Sequence, residues 1–243
     1  VLQLFVPRVG RSHWTYGAAT PSQLTSDNIS GLSYGALGDL RLIANWQGLL
    51  TTHNLGLQLG VKVPTGRYGG PNAAGDGTVG HHPYSFTTGP AADEILDTSL
   101  QPGTGSTDLI AGAYYYQAVS QNFDAFANAQ FQSAMIESLD QPGADFRPGN
   151  QETLSFGLRY EKYPTWTPQL QVNVNHKSLD QGALADTLDS PGTVVYLSPG
   201  LSVSLLRRLQ AYGFVQVPLW SYLVGYQLFP RWTATVGLSL PLF

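Results

Sequence analysis

Eight charged residues sit at alternating positions inside segments whose intervening positions are apolar: Asp39, Arg41, Lys62, Asp108, Asp124, Arg159, Glu161 and Lys177. Charges gathered on one face of several strands can act in two ways. Rings of fixed charge along a path filter solutes. Alternatively, opposite charges pair into a network that fills a narrow lumen and holds strand register. The eight sum to zero, which favours the network, because an ion-selective path needs one dominant sign. Asp39, Arg41, Lys62 and Asp108 fall on three consecutive strands near the same end, so adjacency predicts one four-residue cluster. Tyr114, Tyr116 and Tyr212 share the polar face and are expected, with Arg41, Lys62 and Arg159, to narrow any path through it.

Other chemistry finds less support. His81 and His82 lie near Asp76, Asp93 and Glu94, but adjacent histidines lack the one-face spacing of a helical metal site. No metal and no cofactor are expected. None of His13, His53, His81, His82 and His176 lies beside a serine at strand spacing, as a hydrolytic site would need. His81 or His82 with Asp93 or Asp97 is the one arrangement left to a hydrolase. No catalytic residue is assigned, and the chain is not expected to be an enzyme. The loop aspartates lack the regular spacing of a calcium motif. The chain has no cysteine, which excludes thiol nucleophiles, disulfides and iron–sulfur clusters.

The elements that carry these residues follow a period of two. Leu55, Leu57, Leu59, Val61 and Val63 alternate with Asn54, Gly56, Gln58, Gly60 and Lys62. Leu154, Phe156, Leu158 and Tyr160 alternate with Ser155, Gly157, Arg159 and Glu161. The same pattern marks segments 1–8, 37–48, 107–118, 123–133, 166–178, 193–206, 208–219 and 231–243, making about ten strands (within 8–12). No apolar set contains a charge, whereas the opposite sets hold all eight. A water-soluble sandwich shows the reverse, with charge outside and oil inside. The expected fold is therefore all-β: a single antiparallel up-and-down transmembrane β-barrel with the apolar face on lipid, forming one domain over 1–243.

Connections alternate short (near 49–53, 119–122, 162–165 and 206–208) and long (9–34, 65–105, 138–149, 179–192 and 219–230). Outer-membrane barrels have short periplasmic turns and long extracellular loops. The 65–105 loop admits a single turn at Ala91–Leu100 and is expected to fold into the mouth or to cover it. Aromatic residues gather at strand ends (Trp46, Tyr114–Tyr116, Tyr160, Tyr163, Trp166, Trp220 and Trp232), as interfacial girdles do.

Composition agrees with this placement of charge. Only 12% of the 243 residues are charged, the net charge is −4, and 27 glycines and 28 aromatics are present. Disordered chains are charge-rich and aromatic-poor, and nucleic-acid binders are basic, so no nucleic-acid partner is expected. No run approaches the roughly 18 apolar residues of a membrane-spanning helix. Val1 follows no charged and apolar leader, which reads as a mature or trimmed chain. The terminal segment Val236, Leu238, Leu240, Leu242 and Phe243 resembles an outer-membrane assembly signal, with Phe243 one residue out of phase.

Three motifs carry a family resemblance: Gly38-Asp39, Lys62-Val63-Pro64-Thr65-Gly66 and Gly105-Ser106-Thr107-Asp108, supported by Gln216-Val217-Pro218-Leu219. With them the chain resembles the outer-membrane transporter family named after the meta-pathway of phenol degradation. The resemblance implies a barrel in the bacterial outer membrane that passes small, often aromatic or apolar, molecules. The expected function is a narrow passive channel or facilitator. A structural or partner-anchoring barrel and an outer-membrane hydrolase are the alternatives. Expected partners are the bilayer with its lipopolysaccharide, a small-molecule solute, and a protein partner or further copies of the chain.

Overall fold

The computed structural model describes residues 2–16, 28–206, 209–225, 227 and 230–239. In chain order the strands are β1 (Leu2–Phe5), β2 (Arg8–Tyr16), β3 (Ile29–Leu37), β4 (Leu40–Trp46), β5 (Leu55–Val63), β6 (Tyr68–Pro71) and β7 (Thr78–His81). They continue with β8 (Ser106–Ala118), β9 (Phe123–Glu137), β10 (Gln151–Tyr160), β11 (Trp166–Lys177), β12 (Gly192–Ser204), β13 (Gln210–Leu223) and β14 (Thr233–Ser239). Ten of them form one antiparallel sheet in the order β1-β4-β5-β8-β9-β10-β11-β12-β13-β14. These ten coincide with the ten alternating segments, with ends moved by a few residues. The sheet is a meander that curls on itself: inner residues from β1 through β13 line one common cavity. Among the described residues, no paired rung links β14 back to β1. Leu240, Leu242 and Phe243 of the terminal alternation lie outside the described residues.

Register places like with like. Phe156 stands between Ala127 of β9 and Val172 of β11, and its neighbour Ser155 stands between Asn128 and Asn173. Every second rung is thus apolar on one face and polar on the other. The faces are inverted relative to a soluble protein. Leu59 is 62% exposed and Phe156 54%, whereas Lys62 is 2% and Asp108 3%. A continuous exposed apolar face of this extent requires an apolar environment, and a meander of strands satisfies the backbone within it. No helix among the described residues is long and apolar enough to cross a membrane. At the short-turn end, Tyr163 stacks on Trp166 with centroids 4.5 Å apart, beside Phe123 and Tyr160. At the other end Trp220 stacks with Tyr222. These aromatics form the two rims of the apolar band.

Two of the long connections depart from the loops expected of them. Residues 9–34 are not simple loop: β2 and β3 form a hairpin that continues the β1–β4 pair outward. Pro7, which has no N–H to offer the ladder, breaks β1 from β2, and the Pro7 carbonyl accepts the Gly38 N–H at 2.9 Å. Residues 65–105 contain the hairpin β6–β7 and, within the expected turn region, a short 3-10 turn at Thr98–Leu100. The two excursions pack together. Leu32 and Tyr34 of β3 share a small core with Phe86, Ala91 and Leu96. Tyr34 stacks on Tyr84 at 4.3 Å and donates its hydroxyl to Leu100 O at 2.8 Å. Gln101 clamps the segment by accepting the Tyr84 N–H and donating to the Tyr84 and Leu96 carbonyls. The long-loop end of the sheet therefore carries a folded cap with its own core.

Candidate functional site

At the long-loop end the three family-like motifs meet. Rung pairing puts Arg41 opposite Lys62, and Lys62 opposite Asp108. The Lys62 ammonium lies 2.9 Å from Asp108 Oδ2 and 3.4 Å from Asp39 Oδ2. It also donates to Ser106 Oγ at 3.0 Å and to Thr104 Oγ1. Asp39 accepts the Gly66 N–H on one oxygen and the Thr104 N–H on the other. Asp108 accepts from Ser106 Oγ and from Gln132 Nε2, both at 2.6 Å. Gly66 and Gly103 approach closely beneath Asp39, and a Cβ on Gly103 would lie 2.7 Å from Asp39 Oδ1. Lys62 and its two carboxylates are thus buried and hydrogen-bonded, and Arg41, opposite Lys62 on the neighbouring strand, balances the charge. This is the condition under which buried ions persist, because an unpaired one costs several kcal/mol.

One rung further into the sheet the inner face becomes apolar. Ile43, Gly60 and Ile110 are paired across β4, β5 and β8, with Ile110 fully buried and Ile43 nearly so. Beyond this layer, towards the short-turn end, lies a cavity of about 520 Å³. Amides and aromatic rings share its wall, and among the amides Gln58 donates to Asn45 and Asn45 donates to Gln3. Asp124 and Arg159 face each other across β9 and β10, and Arg159 pairs with Glu161 at 2.9 Å.

Four aromatic residues of this inner face stand directly opposite glycines: Tyr114 and Gly56, Phe126 and Gly157, Phe214 and Gly200, Tyr212 and Gly237. In each pair a Cβ on the glycine would collide with the ring. The rings therefore lie across the glycines and against the wall, an arrangement known to hold edge and barrel glycines in place.

The eight charges of the polar face fall into three places. Asp39, Arg41, Lys62 and Asp108 gather under the cap. Asp124, Arg159 and Glu161 lie at the short-turn end. Lys177 ends β11 and clasps Asp180 of the following loop at 2.8 Å, apart from both groups. Tyr114, Tyr116 and Tyr212 line the cavity. His81 and His82 sit in the cap with ring centroids 4.7 Å apart, and among the described residues no group of three His, Cys, Asp or Glu could hold a metal ion.

Sequence reasoning missed several inner residues. Phe126, Phe214, Ile43, Ile110 and Tyr196 fall on the polar phase of their strands, and that phase was the available signal. Asp180, a loop aspartate outside the alternating segments, is only 1% exposed. It accepts the Gly149 N–H at 2.7 Å as well as the Lys177 ammonium.

The sequence matches no protein-family model and no curated protein. The fold, however, is similar to solved structures, among them the crystal structure of an outer membrane channel from Pseudomonas putida F1. That likeness has a TM-score of 0.59 at 11% identity and covers 97% of this chain and 81% of the other. The chain thus has the fold of an outer-membrane β-barrel.

Proposed function

We propose that this barrel is a narrow passive channel of the bacterial outer membrane for small uncharged solutes. The observation that carries the proposal is the cavity of about 520 Å³ on the inner face of the curled sheet, lined by amides and aromatic rings. A wall built only to span lipid has no need of such a space. Around ten strands leave little more than side-chain room in the lumen, so the path is narrow. The buried Ile43–Ile110 layer and the Lys62 cluster lie between the cavity and the cap. Balanced charge gives no preference for one ion sign. The convergence of the three motifs on that cluster supports membership of the phenol-pathway transporter family, whose members are implied to carry small aromatic or apolar molecules. The similar fold of a channel from Pseudomonas putida F1 supports the channel reading, without bearing on the family or its solutes.

Planar-bilayer recording of the purified protein tests this. Small discrete steps are expected from the wild type and larger ones from Ile110→Ala. Silence from both overturns the proposal.

A second reading draws on the Lys62 cluster, in which Lys62 pairs with both Asp39 and Asp108. A barrel that only anchors a partner needs such a packed lumen and nothing more. It predicts no conductance and a stable partner or further copies in native mass spectrometry.

A further inference from the structure

We infer that the inner cavity is a binding site for a neutral ring compound bearing several hydroxyl groups. The inference rests on the channel reading for the route by which such a solute arrives, and it names the class of solute. Three features of the cavity wall converge on this class.

The first is the supply of flat ring surface. Phe126 and Phe214 are pressed against the wall by the absence of a Cβ on Gly157 and Gly200. Each ring spends one side on its glycine, which leaves the other for the lumen. The negative faces of aromatic rings attract the positive edges and C–H groups of another ring.

The second is the supply of neutral hydrogen-bonding groups. Gln3, Asn45, Gln58, Asn128 and Gln171 all line the cavity. An amide both donates and accepts, as a hydroxyl does, so amides match hydroxyls without fixing a charge. Part of this capacity is unpaired within the protein and meets a solute only when the amide side chains turn toward the cavity. Gln58 Oε1, Asn128 Oδ1 and Arg159 Nε are buried with no hydrogen-bond partner among the described residues. Buried polar atoms are ordinarily paired, and each exception calls for a cause. Three of the four such atoms among the described residues belong to residues lining this cavity, the fourth being Arg11 Nη1 on β2.

The third is charge. Asp124 and Arg159 are the charged residues in the cavity wall, and Arg159 is already paired with Glu161. A carboxylate solute would find no free cation, and an ammonium would compete with Arg159. Size is consistent too: about 520 Å³ falls within the roughly 300–1,000 Å³ of small-molecule sites. A ring with several hydroxyls fits within the space and engages the amides. A bare hydrocarbon would leave the amides unpaired, and an acyclic polyol would leave the ring faces bare.

A pyranose and an aromatic diol share this chemistry, so the test carries both. Isothermal titration of the folded, full-length chain in detergent would use maltose, catechol, glycerol and benzoate, alongside bilayer recording with the same four. Saturable heat from maltose or catechol is expected, with none from glycerol or benzoate. Which of the two binds identifies the source of the rings. Phe126→Leu and Gln58→Met keep side-chain volume while removing a ring face or an amide. Each is expected to weaken binding about tenfold, the scale of one ring contact or one hydrogen bond. Native mobility before and after heating confirms that each variant is folded.

Saturable binding without any ion current would support the site and count against the channel. Ion current with no saturable binding of maltose or catechol would overturn the site and leave the channel standing. Equal binding of benzoate or glycerol, or unchanged affinity in both folded variants, would also overturn it.

Discussion

Lys62 and Asp108 stand opposite each other on β5 and β8, their charged atoms 2.9 Å apart and both side chains almost wholly buried. Asp39 and Ser106 complete the shell around the ammonium. Lys62→Met leaves two buried carboxylates without their cation. Breaking a buried pair from one side typically costs about 3–5 kcal/mol. The expected result is a barrel that loses its heat-resistant mobility at markedly lower temperature. The double variant Lys62→Met, Asp108→Asn should recover part of that loss, since one carboxylate, Asp39, then remains beside one cation, Arg41.

The aromatic–glycine pairs predict a non-additive response. Gly157→Ala drives a methyl group into the Phe126 ring and should destabilise the barrel by about 1–3 kcal/mol, as overpacking does. In a Phe126→Ala background the same change should be nearly silent. Unfolding of the four proteins in a double-mutant cycle measures the coupling.

The outer face predicts an asymmetry between neighbouring strands' residues. Leu59 projects from the middle of β5 and is 62% exposed. Leu59→Arg should cost roughly 2–4 kcal/mol near the bilayer midplane. Ser155→Arg, directed into the cavity, should cost far less. Denaturant unfolding in lipid vesicles separates the two, and equal losses would contradict the assigned faces.

The cap should loosen in alkali. Burial raises the pKa of the Tyr34 phenol above its ordinary value of 10.0, against the opposing pull of Arg11. The folded cap therefore favours the protonated phenol. Its contribution is complete below the unfolded pKa and is lost as pH rises through the higher folded value. The near-ultraviolet circular dichroism of the stacked Tyr34–Tyr84 pair should persist to about pH 10 and then decline. Tyr34→Phe should lack one late-titrating phenol and retain the stack.

Much of the wall was readable before any contact was known. A strand between lipid and a polar lumen must alternate, so Leu55–Val63 announces its own two faces, as do the other nine segments. The cluster of Asp39, Lys62 and Asp108 was readable for a related reason. In a meander, strands adjacent in sequence are adjacent in space, and charges near the same end of three such strands must meet. The hairpin β2–β3 was not readable as structure, because its alternation serves a small core supplied by residues more than fifty positions away. Nor did the polar phase distinguish Phe126 and Ile110 from the amides around them.

Sequence alone thus determined the number of sheet strands, their faces and the placement of charge, because each follows from the solvent that a single strand meets. Only the tertiary structure decided which residue stands opposite which. Register depends on where turns end and where bulges fall, as at Thr107/Asp108 and Val195/Tyr196, and one residue of slip exchanges the two faces. That register set Phe126 over Gly157, closed the Lys62 cluster under the cap, and left between the apolar layer and the short-turn end a cavity that no single strand specifies.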